Sequence, residues 1–328
     1  MDDIMNIFRV RLIAAVVTFI VGVTITGIWI TVRKPSSRVE KPRTEISEKK
    51  PPIDDSIAGT VSRLRENRVD SFDPGVPPAA QALIVKLKHQ LRDFIQETLN
   101  SRAYEDDGPH RLDTMLNDEL EKAGVQLTRD TEEIYDGKIP EYYSYGDIYE
   151  FKVSRPAGHR DLVAVTTTLG VCCGVDTSLY LFQYEGQKWN LVLAYESSEY
   201  DEIDGAHAIL QYAVSPPEKN GDFFVAVANV NPWCTSNWQT LRYVVLKPVI
   251  GSNEPKVILS KTNTIYLGVA DPVYELNLEP QGFRLSLFDE KMMEMANEGI
   301  DAGPDGIRAR RLISYRVRGN SAVLRFGR

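Results

Sequence analysis

At 328 residues, 43% hydrophobic and 26% charged, the chain has ordinary globular values that leave room for one large domain or two small ones. Residues 1–50 hold nine Lys/Arg against five Asp/Glu, which leaves 29 against 41 for residues 51–328, a formal −12 that argues against nonspecific nucleic-acid binding. Three cysteines, Cys172, Cys173 and Cys234, are too few for a dense disulfide framework, and the C-C pair lacks the spacing of a zinc or C-x-x-C site.

After a short tail, residues 1–11, the stretch Leu12 to Val32 reads LIAAVVTFIVGVTITGIWITV, 21 residues without a charge. About 20 suffice to cross a hydrocarbon core ~30 Å thick. The stretch is longer than the roughly 7–15 residue core of a cleaved signal peptide. No A-x-A-like site follows it, and it runs straight into Arg33 and Lys34. It is read as an uncleaved single-pass transmembrane helix, a signal-anchor that makes the membrane the first partner of the chain. Its flanks disagree about sidedness. Arg33, Lys34, Arg38, Lys41 and Arg43 would keep the following domain in the cytoplasm by the positive-inside bias. An N-terminal anchor preceded by Arg and followed by a stalk and a β-rich domain is the plan of an exported protein, and the expectation adopted is an extracytoplasmic domain.

Residues 33–78 carry seven prolines among many Lys, Glu, Arg and Ser, and read as a flexible Pro- and charge-rich stalk with a short helix over Ser56 to Glu66. Residues 79–146 form a helical segment. Leu83, Ile84, Leu87, Leu91, Phe94, Ile95 and Leu99 fall at three- and four-residue steps on one face. Leu112, Met115, Leu116 and Leu120 mark a second helix that Gly124 stops. The pair is expected to pack as a hairpin against a following sheet, since the stripe is too short for a coiled-coil seam.

From residue 147 to 328 the apolar runs are short, rich in Val, Ile, Tyr, Phe and Thr, and bounded by Gly, Pro, Asn or Asp, which predicts antiparallel strands joined by turns such as YEGQ and PEKNGD. A repeat is visible: DLVAVTTTLGVCCGVDTSLYLFQY then WNLVLAY matches DFFVAVANVNPWCTSNWQTLRYVVL then PKVILSK. The offset is 61 residues and places Cys173 on Cys234, with a fainter third copy from Val273 to Phe326. The fold class expected is therefore mainly β, with repeated antiparallel four-stranded sheets arranged propeller-like or as a sandwich.

No H-E-x-x-H, G-x-S-x-G, Gly-rich phosphate loop or Walker sequence is present, and no cofactor or metal is implied. Cys173 and Cys234, in equivalent loops, could form a disulfide joining two repeats, or stay unpaired as small hydrophobes. Gly174 and Asp176 are read as shaping their loop. Trp233, Trp238 and Asn237 place aromatic faces beside an amide, the chemistry of a glycan or peptide groove. The loop ESSEYDEID, with Glu196, Glu199, Asp201, Glu202 and Asp204, is a solvated acidic face in the simple reading and a source of hydrolytic carboxylates in the sharper one. The arginine-rich C-terminus reads as a charged sheet edge, able also to meet an anion. His89, His110, His159 and His207 are scattered and read as surface or capping residues. The functional expectation is a noncatalytic binding or interaction module tethered to a membrane, with an unidentified protein or glycan ligand; the alternative is a membrane-anchored envelope hydrolase using carboxylates near residues 196–204.

Overall fold

The computed structural model describes residues 54–70, 75–101, 109–128, 142–172, 174–232, 236–249, 251–267, 272–290, 292 and 310–325. Leu12–Val32 lies outside these residues, as do Cys173, Trp233 and Cys234; among the described residues no helix is long and apolar enough to cross a membrane. All of the described residues belong to one compact unit, Ile53–Arg328.

Three α-helices form among them. The first, α1 (Ile57–Arg65), starts where the Ser56 side chain accepts the Gly59 N–H at 3.0 Å, and it buries Thr60, Val61 and Leu64 on one face. The second, α2 (Pro78–Asn100), opens on a proline that lacks only an N–H the first turn would leave unused. It buries Ala80, Ile84, Leu87, Lys88, Leu91, Ile95, Thr98 and Leu99. The apolar stripe expected there is present, and Lys88 sits in the middle of it. The third, α3 (Pro109–Lys122), buries Leu112, Leu116 and Leu120 and ends just before Gly124, whose φ of +86° suits a residue without Cβ.

The rest is mainly β and antiparallel. Strands β1 (Arg68–Asp70) and β3 (Tyr142–Ser144) pair as a small ribbon. Three larger sheets follow in chain order. The first is the meander β5 (Lys152–Ser154), β6 (Leu162–Val171), β7 (Gly174–Glu185) and β8 (Lys188–Tyr195), with β4 (Ile148–Tyr149) on the free end of β6 and β2 (Leu127–Thr128) beside β4. The second is β9 (Ala208–Val214), β10 (Val225–Val230), β11 (Trp238–Val249) and β12 (Ser252–Tyr266). The third is β13 (Tyr274–Glu279), β14 (Gly282–Leu287), β15 (Arg311–Arg318) and β16 (Ser321–Arg325). β6–β8, β10–β12 and β14–β16 each run as an antiparallel meander in successive sheets, of which the first has six strands and the other two four. The YEGQ turn between β7 and β8 has positive φ at both Gly186 (60°) and Gln187 (66°), the geometry that matches a two-residue hairpin to strand twist.

The layers stack as helices, first sheet, second sheet, third sheet, with a core at each junction. Leu87, Leu91, Ile95 and Leu116 meet Val163, Val165, Tyr180 and Phe182 of the first sheet. The opposite face of that sheet, with Leu162, Ala164, Leu179 and Leu181, packs on Val214, Phe223, Val225, Val227 and Val244 of the second. The far side of the second sheet, with Ala226, Leu241, Tyr243 and Val245, covers Phe283, Leu285, Ile313 and Tyr315 of the third. The 61-residue offset needs correction on this point. It pairs Leu162 with Phe223, yet Leu162 faces forward to the second sheet and Phe223 faces back to the first. Forward-facing residues of β6 and β10 differ by an even number, Leu162 with Phe224, because one residue of slip exchanges the two faces of a strand.

Candidate functional site

The densest group of polar side chains lies where α2, the first sheet and the second sheet meet. Lys88 leaves the apolar stripe of α2 and reaches the start of β7, where its Nζ stands 2.6 Å from Asp176 Oδ2; the lysine is 1% exposed and the aspartate 0%. The same Nζ donates to the Ser197 carbonyl at 3.1 Å and lies 5.0 Å from the centre of the Tyr200 ring. Tyr200 donates to Asp176 Oδ2, and the His207 backbone N–H donates to Oδ1 at 2.9 Å. Strand β7 answers with Thr177 N–H on the His207 carbonyl at 2.8 Å. The connecting loop can close this tightly because residue 205 is glycine; a Cβ there would sit 1.9 Å from the Glu199 carbonyl oxygen.

His207 stacks on Tyr195, 4.7 Å between centroids and 14° between planes, and Tyr195 donates to Asn229 Oδ1 at 2.7 Å. Asn229 lies opposite a β-bulge in β9, where Ile209 takes a φ of +45°, a conformation a β-branched residue rarely adopts. The Tyr274 hydroxyl donates to the Ile209 carbonyl and lies 2.8 Å from that of Ala228. A second polar group adjoins the first: Arg92 donates to Glu196 at 3.2 Å, and Tyr180 donates to the other carboxylate oxygen at 2.6 Å.

Electrostatics set the protonation of Asp176, His207, Tyr195 and Tyr200. Burial raises the Asp176 carboxyl, but the Lys88 charge, with His207 and hydrogen bonds from Lys88 and Tyr200, outweighs it and holds the group below the usual carboxylate range. Burial, helped by Lys88 and Arg242 and opposed by Asp176, lowers His207 to about 4. Burial raises Tyr195 to about 12, and burial with the Asp176 charge raises Tyr200 further. At neutral pH the cluster is an ion pair with a neutral imidazole and protonated phenols. It offers neither an activated nucleophile nor an open ligand position, and among the described residues no group of three His, Cys, Asp or Glu could hold a metal.

The residues singled out by sequence fall elsewhere. Trp238, at 36% exposure, lies over Tyr266 across the β11–β12 pair, 5.0 Å between centroids and tilted by 57°. Asn237 is exposed beside it, its carbonyl accepting the Leu267 N–H at 2.7 Å, and Ser236 fixes the turn by accepting the Trp238 N–H at 3.0 Å. Trp233, the third member of that group, is outside the described residues, as is the proposed Cys173–Cys234 pair; among the described residues there is no disulfide, and Cys172 is buried. Gly174 and Pro232, which flank the two loops, approach closely enough that a Cβ at 174 would lie 3.0 Å from the proline ring. Of the acidic loop, Glu196 is engaged as described, whereas Glu199, Asp201, Glu202 and Asp204 face solvent. Two readings are corrected: Asp176 is a buried strand residue rather than a loop former, and His207 is 4% exposed rather than a surface residue. Lys88 carried a legible signal, a lone charge in step with Ile84, Leu91 and Ile95, which a buried face tolerates only beside a counter-ion.

No protein-family model, curated protein or solved structure matches this chain.

Proposed function

We propose that the chain is a noncatalytic binding module displayed at a membrane, anchored by Leu12–Val32 and taking a protein or glycan ligand on Trp238, Tyr266 and Asn237. The observation that carries this reading is the Trp238–Tyr266 pair: an exposed indole over a half-buried phenol ring beside the exposed Asn237, on the β11–β12 pair at the edge of the second sheet. The sealed state of the Lys88–Asp176–His207 cluster supports it, because the group best suited by composition to catalysis has no access to a substrate. The three antiparallel meander sheets would serve as the stiff support that such a platform needs. Trp233 and Cys234 precede Asn237 by four and three residues in sequence.

The test is a glycan and peptide array probed with the full chain. A ligand captured by the wild type should bind the Trp238→Ala protein on the order of 30-fold more weakly, as for a central aromatic anchor worth ~2 kcal/mol. Equal capture by the two proteins, or no capture from either collection, would count against the site. Sidedness is decided separately by a reporter fused after Arg328 that is active only outside the cytoplasm; the expected result is activity.

A further inference from the structure

Among the described residues the third sheet ends the stack, and its outer face carries four arginines against two glutamates, Glu275 and Glu279, within residues 51–328 that are acidic as a whole. The face opposite the core carries Arg284 on β14, Arg316 and Arg318 on β15, and Arg325 on β16. In register, Arg284, Ser314 and Arg325 form one row, and Gly282, Arg316 and Val323 the next. Gly282, at the β13–β14 turn, lets β14 approach β15 closely; a Cβ there would lie 1.9 Å from the Tyr315 carbonyl oxygen. Glu279 is shared between Arg284 at 3.8 Å and Arg325 at 3.5 Å, while Arg316 and Arg318 make no ion pair among the described residues. Among these guanidinium groups stand Leu312 and Val323, 61% and 62% exposed, the most exposed large apolar residues of the sheet.

We propose that this face docks on the anionic phospholipid headgroups of the bilayer that holds the chain, a step that rests on the anchored reading of Leu12–Val32. Three observations select that occupant. The face mixes cations with two protruding apolar side chains, which suits a headgroup boundary rather than a groove-bound peptide. Four strands about 4.8 Å apart and some 20 Å long give an area of ~300 Å², well short of the ~800 Å² per partner of a stable protein interface. A tether removes that deficit for a membrane by keeping the face at high effective concentration. Finally, residues 51–328 carry a formal −12, so an anionic surface repels the domain as a whole and attracts it through this face, which gives docking a single orientation.

The full chain bearing Leu312→Cys and an environment-sensitive fluorophore is reconstituted in vesicles of phosphatidylcholine, with or without phosphatidylglycerol. Unsubstituted chain labelled in parallel gives the signal of the native cysteines. The expected result is a blue shift only in the anionic vesicles, reversed by high salt. Replacing Arg316, Arg318 and Arg325 by Gln should lower the docked-to-undocked ratio ~100-fold, and replacing them by Lys should preserve most of it. Circular dichroism of each variant checks the sheet. Identical emission in both lipids, or a shift that survives in the Gln variant, overturns the proposal. A shift produced by soluble polyglutamate and absent with vesicles assigns the face to an acidic protein segment and also overturns it. A chain that washes off in alkaline carbonate refutes the anchor alone, and the same comparison with added vesicles still decides the face.

Discussion

Lys88 and Asp176 set the terms at the scale of single residues. A fully buried ion pair is maintained because each charge removes the cost of the other, so deleting one partner is far worse than deleting both. Lys88→Met should cost about 3–5 kcal/mol in urea unfolding of the chain. The double variant Lys88→Met with Asp176→Asn should recover part of that loss, since Asn can still accept the His207 N–H. His207 adds a pH dependence of defined sign. Its folded value of about 4 lies below an unfolded value near 6.5, so the unfolded chain binds the extra proton first. Stability is therefore complete above pH ~6.5 and falls by roughly 3 kcal/mol as pH drops towards 4. Asp176, whose carboxyl is also lowered, adds a further loss once pH falls below the ordinary carboxylate range. His207→Phe keeps the stack on Tyr195 and should flatten the midpoint between pH 7 and 5; an unchanged slope would show that another group titrates there. Sequence reading could place the lysine in a buried stripe but not name its counter-ion, because nothing local links position 88 to position 176.

At the scale of elements, three side-chain amides act as borrowed peptide groups between layers. Asn100 at the end of α2 accepts the Trp189 N–H at 2.7 Å and donates to its carbonyl at 2.9 Å. Asn117 on α3 does the same for Phe151, at 2.8 and 3.2 Å. Gln211 on β9 accepts the Leu276 N–H at 2.9 Å and donates to the Tyr274 carbonyl at 2.8 Å. Each satisfies a backbone N–H and a backbone carbonyl of another element or of the segment beside it, and each requires both a donor and an acceptor. Asn100→Asp should accordingly be as harmful as Asn100→Ala, about 1–3 kcal/mol by denaturant midpoint, because the carboxylate meets the Trp189 carbonyl with no proton to give. None of these amides was legible beforehand, whereas the elements they join were: the helical stripes, the stop at Gly124 and the strand order of the repeats all follow from periodicity. The repeat offset failed by one residue for a physical reason. Strands β6 and β10 are buried on both faces, so their apolar runs are nearly continuous and carry no alternation to fix which side a residue faces.

For the molecule as a whole, the order of layers predicts a gradient of stability. The first and second sheets are covered on both faces, whereas the third has a neighbour on one face only among the described residues. Burial along β15 accordingly alternates while that along β10 does not. Hydrogen exchange should find the amides of β6, β7 and β10 opening only with global unfolding, and those of β15 and β16 exchanging through a smaller local opening. Equal protection across all three sheets would mean that the stack unfolds as a single unit.

The link from Lys88 through Asp176 to the His207 amide also has a consequence for synthesis. A chain made from its N-terminus presents α2 long before β7 exists, and during that interval the apolar stripe carries an unneutralised ammonium that resists burial. The helices should therefore seal only once Asp176 has been made, with the aspartate fully held when His207 follows. One ion pair would thereby delay closure of the interior until two of the three sheets have begun to emerge.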